Sequence, residues 1–178
     1  MEKCRQLLDM GADVNAHDPM SLGWTPLMHA LQAESEEGAK FFLERGADVN
    51  ARSDRSCTAL ILAVSRGYID IVRTLLDKGA NMDVLGANGE PAILTAIRYG
   101  RAEIAALLAE RGAKVDGHFK VDGRNRGLIE AAVHLRQPDA AKALQAGLNA
   151  RRAAFQAAAE KGTVRKRPIL RVKRGAGL

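Results

Sequence analysis

The stretch Thr58–Asp83, TALILAVSRGYIDIVRTLLDKGANMD, reads as a helix, a tight turn at Gly67, a second helix and a stop at Gly79. Leu60, Ala63 and Val64 fall on one face of the first helix, and Ile71, Val72, Leu75 and Leu76 on one face of the second. Neither helix is long enough to hold in water alone, so each stripe has to be buried against a neighbour. The chain supplies those neighbours as copies of the same unit.

Aligned on the glycine that ends each second helix, the sequence falls into four blocks. The string GADVNA occurs at Gly11–Ala16 and again at Gly46–Ala51, weakening to GANMDV at Gly79–Val84, GAKVDG at Gly112–Gly117 and GLNA at Gly147–Ala150. Thr25, Thr58 and Pro91 share one position at spacings of 33 and 33. Thr25 suits an N-cap, and Pro26 a first helical residue, where its missing N–H breaks no bond. Gly46, Gly79 and Gly112 sit where a left-handed residue closes a helix. Ala30, Ala63, Ala96 and Ala131 share a position where a small side chain lets adjacent helices approach. The runs Asn50–Thr58 and Asp83–Pro91 are polar and turn-rich, as projecting hairpin loops would be.

Thr25-Pro26-Leu27-Met28-His29-Ala30, then Phe42-Leu43, then Gly46-Ala47-Asp48-Val49-Asn50-Ala51 resemble the ankyrin repeat, a unit of about 33 residues with a T-P-L-H-x-A signature. The resemblance covers residues 2–150 and implies an all-α solenoid of helix-turn-helix units joined by β-hairpin loops. The expected organisation is a half repeat over 2–15 and repeats over about 16–50, 51–83, 84–116 and 117–150. A C-terminal capping helix over 151–162 and a basic, flexible tail over 163–178 follow. The half repeat lacks a first helix to cover Cys4, Leu7 and Leu8; it reads as a cap, as a chain whose true start lies upstream, or as a piece of a longer protein. The fourth block has Arg126-Gly127 where Thr-Pro would sit, the irregularity expected of a terminal repeat.

Bulk composition narrows the function classes. Seven aromatic residues in 178 argue against a β-sandwich or barrel. Cys4 and Cys57 are too few for a disulfide framework, and no apolar run approaches the roughly 20 residues of a membrane span. The start MEKCRQLL has no signal-peptide pattern, so a cytoplasmic monomer is expected. The net charge of +6 is local: residues 151–178 hold nine Lys/Arg against one acid, while the first 150 hold 18 basic and 20 acidic groups. The tail, with Arg165, Lys166, Arg167, Arg171, Lys173 and Arg174, suits nucleic-acid phosphates, anionic lipid, a docking or import peptide, or plain solubility.

No enzyme, cofactor or metal site is expected. His17, His29, His118 and His134 lie apart from one another, and GxSxG, HExxH, P-loop and GxGxxG strings are absent. His29 and His134 read as partly buried helix residues. Cys57, just before a helix start, has two readings: a thiol of depressed pKa, or an inert one.

The resemblance implies that a partner protein is held by hairpin tips and the exposed face of each first helix. Those positions are Pro19, Met20, Leu22 and Trp24; Asp54, Arg55 and Cys57; Ala87, Asn88 and Glu90 in the hairpins. On the helices they are Gln32 and Ala33, Ser65 and Arg66, Arg98 and Tyr99, Val133 and His134. Met20, Leu22 and Trp24 form an apolar cluster of the kind that marks interfaces, the competing reading being that Trp24 covers the N-terminal end of the stack. Arg55, Arg66, Arg98 and Tyr99, beside Glu90, would line a groove suited to an acidic partner. The function expected is protein binding without catalysis. Its rivals are nucleic-acid association through the tail, and a fragment of a larger ankyrin-repeat protein.

Overall fold

A computed structural model describes residues 2–86, 88–114, 118–121 and 123–160. A lone helix, α1 (Glu2–Asp9), precedes four helix pairs: α2 (Pro26–Gln32) with α3 (Glu36–Glu44), α4 (Ala59–Arg66) with α5 (Ile69–Asp77), α6 (Ala92–Arg98) with α7 (Ala102–Glu110), and α8 (Leu128–His134) with α9 (Pro138–Glu160). The first helices α2, α4, α6 and α8 stack in one layer, and α3, α5, α7 and α9 in a second. Between them lies the core, in which Leu27, Leu31, Leu60, Ile71, Leu75, Ile93, Ile97 and Leu108 are fully buried. Four hairpin fingers connect the units. Only the last forms named strands among the described residues, β1 (His118–Val121) antiparallel to β2 (Arg124–Gly127) with His118 opposite Gly127.

Local sequence rules account for the helix ends. The hydroxyl oxygens of Thr25 and Thr58 accept from the backbone N–H of Met28 and Ile61 at 3.5 and 3.3 Å, and that of Ser35 from Gly38 at 3.0 Å. Pro91 and Gly127, at the same place before α6 and α8, offer no such acceptor. Gly46, Gly79 and Gly112 take positive φ, and the next residue's N–H returns five residues, Ala47 to Phe42, Ala80 to Leu75 and Ala113 to Leu108. The turn within each pair is left-handed at one position throughout: Glu34 (φ 57°), Gly67 (89°), Gly100 (66°) and Arg136 (56°). Glycine is at ease there; Glu34 and Arg136 hold a conformation that costs an L side chain about 1–2 kcal/mol.

The GADVNA string carries a second function, cross-linking of neighbouring units. Asp13 and Asp48 accept from the backbone N–H of Asn15 and Asn50, each at 2.8 Å, closing a local turn that aims the Asn side chain at the next repeat. Asn15 Oδ1 then accepts from Asp48 N–H at 2.7 Å, and Asn50 Oδ1 from Asn81 N–H at 2.8 Å, while Asn50 Nδ2 donates to the Gly79 carbonyl at 3.1 Å. One unit on, Asp83 replaces Asn and pairs with Lys114 at 2.8 Å.

The C-terminal end departs from expectation. No separate capping helix begins at residue 151; α9 runs unbroken from Pro138 to Glu160. Gly147, aligned with the helix-ending glycines, is helical instead. A Cβ there would lie 2.7 Å from the Ala106 carbonyl oxygen and 3.1 Å from Ala109 Cβ, so its missing side chain is what lets α9 lie against α7. Ala140, Leu144 and Gly147 form the buried stripe of α9, and residues 149–157 are exposed, Phe155 included. Residues 161–162 of the expected capping helix, and the tail over 163–178, lie outside the described residues.

Gly147→Ala tests this packing with an informative sign. In an ordinary helix interior the change would stabilise by up to about 1 kcal/mol. Here it is expected to destabilise by about 1–3 kcal/mol in urea unfolding, because the new methyl meets backbone. A gain in stability would contradict the close approach of α7 and α9.

Candidate functional site

The side chains not used in stacking gather on the fingers and on the neighbouring face of the first helices. Finger 1 is braced at its base. Asp18 pairs with Trp24 across an isolated bridge, its Oδ1 accepts from Met20 N–H at 2.9 Å, and its Oδ2 lies 3.2 Å from His29 Nε2. The Ser21 hydroxyl and the Met20 N–H, and to a smaller extent His29, hold the Asp18 carboxyl below the usual carboxylate range. The carboxylate's support of that turn is therefore present at neutral pH and fades only as pH falls through the lowered value. Trp24 is half-buried, its ring 5.5 Å from that of His29. Met20 (95% exposed) and Leu22 (43%) project beyond it. The three do not act as one exposed cluster: Trp24 is a brace and the other two form the tip.

Successive fingers touch. The Leu22 carbonyl accepts from Asp54 N–H at 2.9 Å, joining finger 1 to finger 2. Finger 2 closes on itself where Ser53 N–H donates to the Cys57 carbonyl at 3.0 Å and the Ser53 hydroxyl accepts from Cys57 N–H at 3.0 Å. Finger 3 is tied by a Leu85–Pro91 bridge and a bond from Gly86 N–H to the Glu90 carbonyl at 2.9 Å. Between α4, α6 and this finger lies a pocket of about 170 Å³, floored by Ile61 and Leu62 and walled by Cys57, Ser65, Thr95 and Tyr99.

The arginines expected to form a free row are mostly spoken for. Arg66 binds Glu34 of the preceding unit at 2.7 Å. Arg98 is held two-pronged by Glu90, with Nε donating to Oε2 at 3.0 Å and Nη2 to Oε1. These pairs cancel charge within the groove, so an acidic partner finds fewer open guanidinium groups than the sequence suggests. Arg55, on finger 2, is exposed and stands apart from both. Tyr99 is 55% exposed at the end of α6, and Val133, at the equivalent on α8 of the buried Ile97, is 64% exposed. Ala87 and the basic residues Arg165, Lys166, Arg167, Arg171, Lys173 and Arg174 lie outside the described residues.

Sequence reasoning missed Arg101. Its Nε and Nη2 donate to the Ser65 carbonyl at 3.3 and 3.2 Å, capping the end of α4 from the next unit across Gly67. The available signal was that Tyr68, Arg101 and Gln137 follow a left-handed turn residue in register, placing a long side chain over the unit before.

Cys57 behaves oppositely to a helix-start thiolate. Burial pushes its thiol pKa up, outweighing the backbone contact with Thr58 that lowers it. Its place in the wall of an apolar-floored pocket is the cause. Among the described residues no group of three His, Cys, Asp or Glu is arranged to hold a metal ion, and no helix is long and apolar enough to cross a membrane. Alkylation of Cys57 by iodoacetamide is expected to be slower at neutral pH than that of a free cysteine, with its half-maximum at higher pH. A rate equal to or above the free thiol's would contradict the burial effect.

Comparison with known proteins adds the following. The family model for ankyrin repeats (3 copies) matches residues 1–53 and 52–118. The B-cell lymphoma 3 protein homolog of Mus musculus is 41% identical over 70 residues, 39% of this chain and 15% of that protein. The 2-5A-dependent ribonuclease of Homo sapiens is 38% identical over 67 residues, 38% of this chain and 9% of the ribonuclease. The ankyrin repeat protein R664 of Acanthamoeba polyphaga mimivirus is 34% identical over 73 residues, 39% of this chain and 45% of that protein. The matched segment thus spans less than half the length of each of these relatives.

Proposed function

We propose that this chain, which belongs to the ankyrin-repeat family, binds another protein through the face made by its hairpin fingers and first helices. Ankyrin repeats generally mediate protein–protein interaction, and what supports the reading in this chain is the distribution of exposed apolar groups. The stack buries most of its leucines and isoleucines, yet Met20 and Leu22 stay exposed on finger 1 and Tyr99 at the end of α6; Val133 is exposed too, at a position whose counterparts Leu31, Val64 and Ile97 are buried between units. Large apolar side chains left in water at positions that packing does not need are the raw material of an interface.

The chemistry offered is aromatic and aliphatic contact flanked by pre-paired charges. Arg66–Glu34 and Arg98–Glu90 are already formed, so a partner meets an ordered, neutral rim and loses little by docking against it. Catalysis is not part of the proposal: among the described residues the Cys57, Ser65 and Thr95 side chains of the groove bond backbone carbonyls, and burial raises the thiol's pKa.

The test is substitution of exposed groups alone, which spares the fold. In pull-downs from a lysate of the source organism, the triple change Met20→Ser, Tyr99→Ser and Val133→Ser is expected to weaken capture on the order of tenfold, with the helical circular dichroism unchanged. Arg73→Ser, on the exposed side of α5, is expected to leave capture intact. Undiminished capture by the triple variant would overturn the proposal.

A further inference from the structure

The pocket beside Tyr99 is one end of a longer groove. It shares Gly86 and Asn88 with a cleft of about 580 Å³ between fingers 2 and 3, whose other walls are Arg52, Arg55, Ser56 and Leu85. Gly86 sets the floor at the junction: a Cβ there would lie 2.9 Å from Ile61 Cδ1, so finger 3 rests directly on α4. The inner end of the groove has an apolar floor in Ile61 and Leu62, with walls that carry hydroxyl groups and the Arg98-paired Glu90, and the outer end is charged.

That outer charge is not spent internally. Unlike Arg66 and Arg98, Arg52 and Arg55 are both exposed and enter no ion pair with any carboxylate among the described residues. Asp54 also lines the cleft but is turned toward finger 1: a Cβ on Gly23 would lie 2.7 Å from its Oδ1, and its N–H is bound by the Leu22 carbonyl. Two unpartnered guanidinium groups thus face a cleft that leads into an apolar pocket. A guanidinium pair favours a planar carboxylate that can bridge it, and the narrow inner end, at about 170 Å³, suits a single aliphatic side chain.

We propose that this groove holds an extended acidic segment of a partner protein, with an apolar side chain in the pocket beside Tyr99 and a nearby carboxylate between Arg52 and Arg55. Ser56 and Asn88, at the cleft walls, supply polar groups for the segment's backbone. The inference rests on the protein-binding reading above and narrows it to one groove and one class of sequence.

The full chain, screened against a displayed library of random dodecapeptides, supplies the probe, and fluorescence anisotropy of the selected synthetic peptides supplies the measurement. The expected consensus is one aliphatic residue with Asp or Glu within a few positions. Arg52→Ala with Arg55→Ala is expected to weaken binding on the order of tenfold, as is replacing the peptide's acid by its amide, with little further loss when both are combined. Ser65→Trp, which fills the pocket while circular dichroism reports the fold, is expected to abolish binding, and added salt to weaken it. A consensus without an acid, or peptides indifferent to both arginines, would overturn the proposal. So would a single-stranded oligonucleotide that binds through Arg52 and Arg55 where acidic peptides do not. Peptides weakened by Met20→Ser or Val133→Ser but not by the arginine changes would overturn this groove and leave the broader reading standing. Peptides weakened by none of these substitutions would overturn both.

Discussion

No helix from α1 to α8 can stand alone, and that constraint shapes everything else in the molecule. They run seven to nine residues each, below the roughly 12–15 at which even favourable sequences are marginally helical in water. What holds each is burial of its stripe against its own partner and against the next unit, at about 1.5–3 kcal/mol for each fully buried Leu or Ile. Stability in such a stack is a sum over neighbours. The asparagines at 15 and 50 and the clamp of Arg101 on Ser65 fix how one unit sits on the next. At the N-terminal end, α1 has no paired first helix, none of its residues is buried, and Leu7 is half-exposed.

The same constraint explains where function has room. Stacking consumes one face of each first helix and leaves the finger side chemically open. Much of the charge there is nevertheless used: Arg66 and Arg98 neutralise Glu34 and Glu90, holding the groove walls in place instead of advertising charge. An exposed pair such as Arg66–Glu34 contributes little to stability, typically below about 1 kcal/mol. The effect of the two pairs is on order, since they fix long side chains that would otherwise have to be immobilised by a partner. The charge left over sits on finger 2.

How much of this the sequence revealed depends on how local the cause is. Thr25, Thr58, Gly46, Gly79 and Gly112 act within a few residues of chain, and periodicity alone found them. Gly147 looked like one more helix-ending glycine because its role is set by Ala106, some forty residues away, and not by its neighbours. The expectation of a separate helix beginning at 151 failed for that reason, although residues 151–160 are helical. Likewise, Arg66 looked available to a partner because Glu34 lies one repeat earlier, and Cys57 read either as an activated or as an inert thiol because its position before a helix was visible while the apolar pocket floor was not. Trp24 read equally well as tip or brace, and only its contact with His29 decides for the brace.

If burial between neighbours is what holds these helices, protection of backbone amides must follow the number of complete neighbours. Native-state hydrogen exchange measures this residue by residue. The expected result is slowest exchange in α4 and α6, faster exchange toward α2 and α8, and the fastest in α1 and in residues 149–157 of α9. Uniform protection along the chain, or an α1 as protected as α5, would contradict it.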